Sequence, residues 1–197
     1  MAIRDQLKSF KKEKVMQEAQ RLFFKRGFRG TSLEAIASSM GMTKPFIYGL
    51  YENKAKILFD ISLRNIKLAL DAVESACQAA GTPSERLVEV ARRLTHICIE
   101  HGEAVTVFFR EEASLEPLHL KTINELKGQL DSALAGLLEE GVESGDFKMT
   151  DVRIGSLAIN GMISWSYTWY RPTGRLKAEE IKEHMAQYSL LIAGARL

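Results

Sequence analysis

The segment from Gly27 to Lys54 carries hydroxyl and ammonium groups whose chemistry suits the binding of phosphate rather than catalysis. Hydroxyls, lysines and the backbone amides of helix N-termini all donate hydrogen bonds to phosphate oxygens. The same segment contains the sequence signals of two short helices joined by a tight turn. Together these features predict a surface that faces nucleic acid.

The first of these helices has a start signal, an apolar stripe and a stop signal. Thr31 and Glu34 form a capping-box pattern, in which the threonine hydroxyl accepts an unpaired amide and the glutamate bonds back. Gly41 stands where a left-handed residue ends the helix. The apolar positions between them recur at helical spacing and predict one buried face: Leu33, Ile36, Ala37 and Met40.

The second helix is predicted from Lys44 to Leu50, with Thr43 as its N-cap and Pro45 in a first turn that tolerates proline. At about two turns it is too short to be stable alone. A short helix braced by its predecessor across a glycine-containing turn is the helix-turn-helix arrangement. In that arrangement the second helix enters the major groove of DNA.

The charge of the chain is distributed unevenly. The 197 residues have an ordinary globular composition, 46% apolar and 26% charged, with a net charge of +2. Residues 1–60 hold 12 lysine and arginine residues against 6 aspartate and glutamate residues, whereas the remainder holds 15 against 19. A basic first third on a mildly acidic body is typical of a DNA-binding head on a soluble body.

Apolar periodicity predicts an all-α protein of about nine helices, and no period-2 alternation predicts a strand. We expect residues 1–50 to form a three-helix DNA-binding head. Residues 51–197 are expected to form a larger helical body for effector binding and dimerisation, with the fourth helix belonging to both. The N-terminus lacks the apolar core of a signal peptide, and no apolar run could span a bilayer, so we expect a cytoplasmic protein without a membrane partner.

No side chains stand at spacings that indicate an enzyme, a cofactor or a metal. The chain has no P-loop or dinucleotide fingerprint, and no nucleophile–base pair can be named. Cys77 and Cys98 lie inside helical patterns and are expected to be small buried residues rather than a disulfide. The histidines show no metal-ligand spacing with cysteine or carboxylate: His96, His101, His119 and His184.

The segment from Val15 to Leu58 resembles the TetR family of bacterial transcriptional repressors. The matching features run from the end of the first helix to the start of the fourth: Phe23-x-x-x-Gly27-Phe28, Thr31-Ser32, Ile36-Ala37, Gly41, Thr43, Ile47-Tyr48 and Tyr51-x-Asn53-Lys54. The nine-helix layout of the remaining chain is also similar to that family. The resemblance implies a helix-turn-helix head on a dimeric body.

The resemblance also implies the DNA contacts, residue by residue. Thr31 or Ser32 would contact phosphate at the start of the second helix. Tyr48 in the third helix and Lys54 at the start of the fourth would do likewise. The start of the third helix would reach base edges and phosphates through four residues: Thr43, Lys44, Pro45 and Phe46.

One departure from the family pattern is Gly49-Leu50, where the family commonly has aromatic or histidine residues. Leu50 cannot hydrogen-bond phosphate, so either fewer backbone contacts are made or the N-terminal arm compensates through Arg4, Lys8, Lys11 and Lys12. Few residues are also suited to reading bases. Lys44 could bind guanine, and Pro45 or Phe46 could contact a thymine methyl. Part of the specificity would then come from DNA shape.

A four-helix dimer interface, formed by the last two helices and their copies, is also implied by the resemblance. The eighth helix carries Gly155, Ala158 and Gly161 at spacing three, and small residues there permit close helix approach. The last helix has a near-heptad apolar seam: Ile181, Met185, Tyr188 and Ile192. The alternative is that these faces belong to the core of the chain.

The sequence WYRPTGRL at residues 169–176 is similar to the tail of TetR-type regulators of lipid and steroid breakdown, some of which respond to acyl-CoA thioesters. Such an effector needs apolar side chains for the acyl part and cations for the phosphates. The candidate binding residues are Phe108, Phe109, Arg110, Leu115, Met162, Trp165 and Trp169. Further candidate cations are Arg92, Arg93, Arg171 and Arg175. Such aromatic residues otherwise belong to a core or dimer interface, and Glu111-Glu112 would instead suit a cationic effector.

These observations predict a ligand-responsive transcriptional repressor that binds a pseudo-palindromic double-stranded DNA operator as a homodimer. A small hydrophobic effector would release it, and an acyl-CoA thioester is the first candidate. Two alternatives stay open: a ligand-binding or interaction protein with weak DNA affinity, and a repressor that senses cationic hydrophobic compounds. A steep fall of DNA affinity with salt would count against weak DNA affinity.

Overall fold

The computed structural model describes residues 3–195, with side chains from residue 5 onward, and these residues form helices and no strand. The helices are α1 Ile3–Arg26, α2 Leu33–Ser39, α3 Lys44–Tyr48, α4 Lys54–Cys77, α5 Pro83–Glu100, α6 Gly102–Glu111, α7 Pro117–Ser144, α8 Val152–Ser164, α9 Ser166–Trp169 and α10 Ala178–Ala193, with a 3₁₀ turn at Glu112–Ser114. The predicted all-α fold is confirmed. None of the helices in this described range has the length and hydropathy that a membrane crossing needs.

The chain divides into two compact units, and the boundaries fall inside α4, at the start of α6 and inside α7. The first unit comprises the residues up to Asn65 together with Glu103–Ile123. The second comprises Ile66–Gly102 and the residues from Asn124 onward. The functional division at residue 50 is a different partition from this one, and it stays a prediction.

The first unit is built around the inward face of α1, as the apolar spacing of that helix predicts. Four residues of this face are buried: Val15, Ala19, Leu22 and Phe23. Phe23 meets Phe28 edge to face, with ring centres 5.3 Å apart. Ile36 of α2 and Ile47 of α3 are completely buried. Because helices this short are not stable alone, their burial in the core is what holds α2 and α3 in place.

The start of α2 differs from the predicted capping box. Ser32, not Thr31, is the N-cap, and its hydroxyl accepts a hydrogen bond from the amide of Ala35 at 3.1 Å. Glu34 therefore stands at the second helical position rather than the third, which a capping box requires. The prediction missed by one residue because serine and threonine are both favourable N-caps and stand side by side here.

The last predicted helix before the Arg171–Gly174 turn, expected from about Asp151 to Tyr170, is divided at Trp165 into α8 and α9. The start of α5 has a capping box formed by Thr82 and Glu85. There the Thr82 hydroxyl accepts the amide of Glu85, and the Glu85 carboxylate accepts the amide of Thr82 at 2.8 Å.

In the second unit, α5 packs against α8 and α10. Of the seven residues of the predicted dimer face, three are buried and four are exposed. Gly155 is buried, and a Cβ there would collide with Met149. Ala158 and Gly161, by contrast, are exposed. On α10, Ile181 and Met185 are buried, whereas the last two seam residues are exposed: Tyr188 and Ile192.

Candidate nucleic-acid interface

The turn between α2 and α3 leaves one face of α3 outside the core. Gly41 has a φ of +66°, the left-handed conformation that its position after the apolar stripe predicts. The amide of Met42 donates to the carbonyl of Ala37 at 2.9 Å and fixes the turn. Ile47 anchors α3 from the inside, and Leu50 is half-buried. The opposite face of α3 is therefore presented to solvent.

Most of the residues predicted to contact DNA from α3 lie on this exposed face: Thr43, Lys44, Pro45 and Tyr48. Phe46 is half-buried, with Nζ of Lys11 5.8 Å from its ring centre. Thr43 occupies the N-cap position, but its hydroxyl makes no capping hydrogen bond. That hydroxyl is therefore not committed to the helix.

Glu34 joins the two strongest donors of the α3 face. Its Oε1 lies 2.8 Å from Nζ of Lys44 and accepts a hydrogen bond from the Tyr48 hydroxyl at 3.0 Å. The bonds from Lys44, first, and from Tyr48 hold the pKa of the exposed Glu34 carboxyl at about 2. The same bond to Glu34 raises the pKa of Tyr48. Sequence reasoning missed this cluster; the available signal was an acidic and a basic residue on opposite sides of a predicted turn.

Thr31 and Ser32, the two alternatives for a phosphate contact before α2, have different surroundings. Thr31 is 1% exposed, and its hydroxyl donates to the carbonyls of Gly27 and Leu22 at 2.9 and 3.5 Å. Ser32 is exposed and caps α2. Only the Ser32 side chain thus has access to solvent.

Lys54 is bonded to backbone carbonyls of the turn between α1 and α2. Its Nζ donates to the carbonyls of Phe28 at 2.7 Å and Thr31 at 2.8 Å, with Arg29 at 3.4 Å. The ammonium also lies 4.5 Å from the centre of the Phe28 ring, a cation–π distance. Lys54 therefore fastens the start of α4 to this turn, a role that sequence spacing alone does not indicate.

The basic residues before α2 belong to a helix rather than to an extended arm, since α1 begins at Ile3. Lys8 is exposed, and Nζ of Lys12 lies 5.0 Å from the Tyr51 ring centre. The side chain of Arg4, also assigned to the arm, lies outside the described residues. The contribution of this segment to DNA binding stays a prediction.

The residues predicted to bind an effector are divided between the two compact units. Phe108 and Leu115 are buried in the first unit, and Phe109 is exposed. The guanidinium of Arg110 donates to the carbonyl of Phe23, and to that of Phe24 at 3.1 Å. The other three belong to the second unit: half-buried Met162 and exposed Trp165 and Trp169. Arg110 thus has backbone partners of its own.

Two clefts open on the second unit. One has a volume of about 220 Å³ and includes Trp169, Arg171 and Arg175 in its lining. The other, of about 360 Å³, includes Arg92, Arg93 and Lys182. The guanidinium of Arg92 is paired through two bonds with the carboxylate of Glu183, at 2.8 and 2.6 Å. The four further candidate cations and Trp169 thus line these two clefts.

A short α3 braced by α2, with an exposed polar face, defines a helix-turn-helix DNA-binding protein. The family model described as "Bacterial regulatory proteins, tetR family" matches residues 15–61, and the one described as "Tetracyclin repressor-like, C-terminal domain" matches residues 80–193. The chain belongs to the TetR family of bacterial transcriptional regulators. As the resemblance implies, it is a transcriptional regulator of that family.

Three relatives illustrate the range of similar proteins. The HTH-type transcriptional repressor KstR2 of Mycolicibacterium smegmatis is 25% identical over 187 residues, 93% of this chain and 89% of that protein. The fatty acid metabolism regulator protein of Bacillus subtilis is 26% identical over 78% of this chain and 80% of that one. The structure of AibR with isovaleryl coenzyme A and operator DNA has a TM-score of 0.81 at 28% identity, covering 90% of this chain and 97% of AibR.

Proposed function

We propose that this chain is a homodimeric repressor whose affinity for operator DNA falls when an acyl-CoA thioester binds its body. The observation that carries the proposal is the exposed face of α3, which presents Lys44 and Tyr48 on a helix anchored by buried Ile47. The complex of the similar protein AibR with isovaleryl coenzyme A and operator DNA supports the choice of effector class.

On DNA, α3 would lie in the major groove with its N-terminal residues towards the bases. Lys44 would address guanine, while Pro45 and Phe46 would contact a thymine methyl. Backbone phosphates would be bound by the hydroxyls of Thr43, Ser32 and Tyr48. We assign the contact before α2 to Ser32 because Thr31 is buried, and we give Lys54 a smaller part because carbonyls already accept from its ammonium.

The dimer would form through α8 and α10, which pack against each other in the second unit. These two helices and Trp165, which directly follows α8, expose six large apolar side chains: Ile154, Leu157, Trp165, Tyr188, Leu191 and Ile192. Exposed apolar side chains in such numbers on neighbouring helices are typical of a protein interface. Two heads in one dimer would read half-sites about one helical turn apart.

For the effector, the acyl part requires apolar side chains and the phosphates require cations. The candidates for the acyl part remain Phe108, Phe109, Leu115, Met162, Trp165 and Trp169. Arg171 and Arg175 are our first candidates for the phosphates because they line one cleft with Trp169. Arg110 is a weaker candidate since its guanidinium already donates to two backbone carbonyls.

Release would follow from a shift between two populations of the dimer. If the effector binds more tightly to the form whose head spacing does not match the half-sites, it must lower operator affinity by the same coupling factor. We propose α4 as the transmitting helix because it runs from the first compact unit into the second.

The test begins with selection of bound duplexes from a random library by the full-length protein. Affinity for a selected duplex is then measured by fluorescence anisotropy with short-chain, long-chain and steroid-derived acyl-CoA thioesters, with free CoA and free acids as controls. We expect at least one thioester to weaken binding while both controls leave it unchanged. Saturation by a thioester without any change in DNA affinity would contradict the proposed mechanism.

A second candidate, a ligand-binding protein with weak DNA affinity, is favoured by the pairing of Lys44 and Tyr48 with Glu34. The salt dependence of binding separates the two functions. A repressor that neutralises several phosphates loses affinity steeply as salt rises, whereas a protein without such contacts does not.

A further inference from the structure

A single carboxylate oxygen in the helix-turn-helix binds two side-chain donors of α3 that we assign to DNA: Lys44 to a base and Tyr48 to a phosphate. Glu34 Oε1 lies 2.8 Å from Nζ of Lys44 and 3.0 Å from the hydroxyl of Tyr48. Nζ of Lys44 also lies 5.5 Å from the centre of the Tyr48 ring, which closes the cluster. Glu34 comes from α2 and the other two from α3, so the cluster joins the two helices of the motif.

This cluster is on the surface rather than in the core. The side chain of Lys44 is 64% exposed, and that of Glu34 is 46% exposed. Tyr48 is 46% exposed. Solvent-exposed groups exchange partners readily, so an incoming anion can compete with the carboxylate for both donors. The arrangement is the one that a phosphate oxygen would make with the same donors, with a carboxylate in its place.

The number of protons on each donor decides which contacts can coexist. A tyrosine hydroxyl has one proton to donate, and Glu34 accepts it. A backbone phosphate oxygen only accepts, so Tyr48 cannot bond to phosphate until it leaves Glu34. The Lys44 ammonium has three protons and can serve both partners, but its charge is already balanced by the carboxylate.

We propose that Glu34 is an internal competitor of the DNA backbone, which holds Lys44 and Tyr48 in the free protein and must release Tyr48 when α3 binds DNA. The inference rests on the proposed function in that it takes α3 as the DNA-contacting helix. Since phosphates carry no sequence information, the penalty for releasing Tyr48 is the same for every duplex. Through Tyr48, Glu34 therefore lowers the affinity for all duplexes alike.

Two substitutions distinguish the effect of the negative charge of Glu34 from the effect of its hydrogen-bond acceptor. Glu34→Gln removes the charge but keeps an acceptor for Tyr48, whereas Glu34→Ala removes both. The probe is a fluorescent mixed-sequence duplex of about 30 base pairs, long enough for two half-sites. With the full-length protein, we expect E34Q to bind it roughly threefold and E34A roughly tenfold more tightly, because an exposed competing contact is lost.

The same substitutions are then made in a K44M/Y48F background, where neither side chain can donate a hydrogen bond to Glu34. There we expect E34A to change affinity less than about twofold, since additivity fails only for residues that interact. Glu52→Ala, an exposed glutamate outside the cluster, controls for the change in net charge. Circular dichroism melting of each variant checks that the fold is retained.

An equal gain from E34A in both backgrounds would overturn the inference, because Glu34 would then act by general repulsion of DNA. No gain from E34A in the wild-type background would also overturn it. A wild-type protein that binds neither this duplex nor a selected one at low salt would instead contradict the proposed function itself.

Discussion

Glu111 of α6 accepts a hydrogen bond from the backbone amide of Phe28 through its Oε1, at 3.2 Å. The neighbouring Arg110 donates to the carbonyls of Phe23 and Phe24 near the end of α1, and to Glu111 Oε1 at 3.0 Å. Two consecutive residues of α6 thus bind both the end of α1 and the turn that follows it. A displacement of α6 would therefore shift the end of α1 and the turn before α2. This is a second possible route for the effector signal, besides the proposed one through α4.

Replacing Glu111 by alanine should loosen this connection. The Phe28 amide would lose its acceptor, and we expect the free energy of unfolding to fall by about 1–3 kcal/mol. We also expect the effector to reduce DNA affinity by a smaller factor than in the wild type. Urea unfolding and anisotropy titrations measure the two effects. The control is Glu143→Ala, at an exposed glutamate near the end of α7, which should change neither quantity. If the effector still releases DNA from E111A as fully as from the wild type, α6 does not transmit the signal.

Replacing Lys54 by methionine separates a structural role from a DNA contact. The carbonyls of Phe28 and Thr31 would lose a charged donor, so we expect stability to fall by roughly 1.5–3 kcal/mol. The control is Lys67→Met, at an exposed position of the same helix. If Lys54 were mainly a phosphate contact, K54M would keep its stability. The slope of log K against log salt would instead become shallower by about 0.9.

Acid should lower the free energy of unfolding because it protonates the paired carboxylate of Glu34. The bonds to Lys44 and Tyr48 hold the folded pKa of Glu34 at about 2, below its ordinary value of 4.5. A depressed folded pKa contributes stability above pH 4.5, and this contribution is lost as the pH falls towards 2. Urea midpoints measured from pH 6 to about pH 3 should therefore fall less steeply in E34Q than in the wild type. Parallel curves for the two proteins would be inconsistent with the observed cluster.

The dimer interface can be tested at Leu191, which is 58% exposed on α10. A charge there would have to be buried between protomers, so Leu191→Glu should yield monomers by light scattering and lose most of the affinity for a two-half-site duplex. Leu118→Glu is the matched control, since Leu118 is 73% exposed and belongs to α7 rather than to α8 or α10. A fully dimeric L191E protein would place the interface elsewhere.

Local signals in the sequence were enough to predict most of the helices and the two glycine stops before α2 and α3. Gly27 and Gly41 both have positive φ where the apolar stripes end, and the inward face of α1 is buried as its spacing predicts. Such features depend on residues within one or two turns of each other. They are therefore accessible without any knowledge of the tertiary structure.

The roles of polar side chains were harder to predict because they depend on tertiary neighbours. Lys54 reaches carbonyls more than twenty residues earlier in the chain, and Glu111 an amide 83 residues earlier. Glu34 was assigned to a cap, yet it pairs with donors across the turn. The effector site stays a prediction. Residue type alone does not define it, since the aromatic candidates Phe108 and Trp165 are buried and exposed respectively.

The central claim is that one dimer binds DNA and releases it when an acyl-CoA binds. Native mass spectrometry of the protein with a selected duplex and the thioester panel shows the free dimer, the dimer with DNA and the dimer with thioester in one spectrum. We predict two protomers per duplex, replaced by a DNA-free dimer carrying thioester when the effective compound is added. A dimer that holds DNA and thioester together at saturation, with no loss of the DNA complex, would contradict the account.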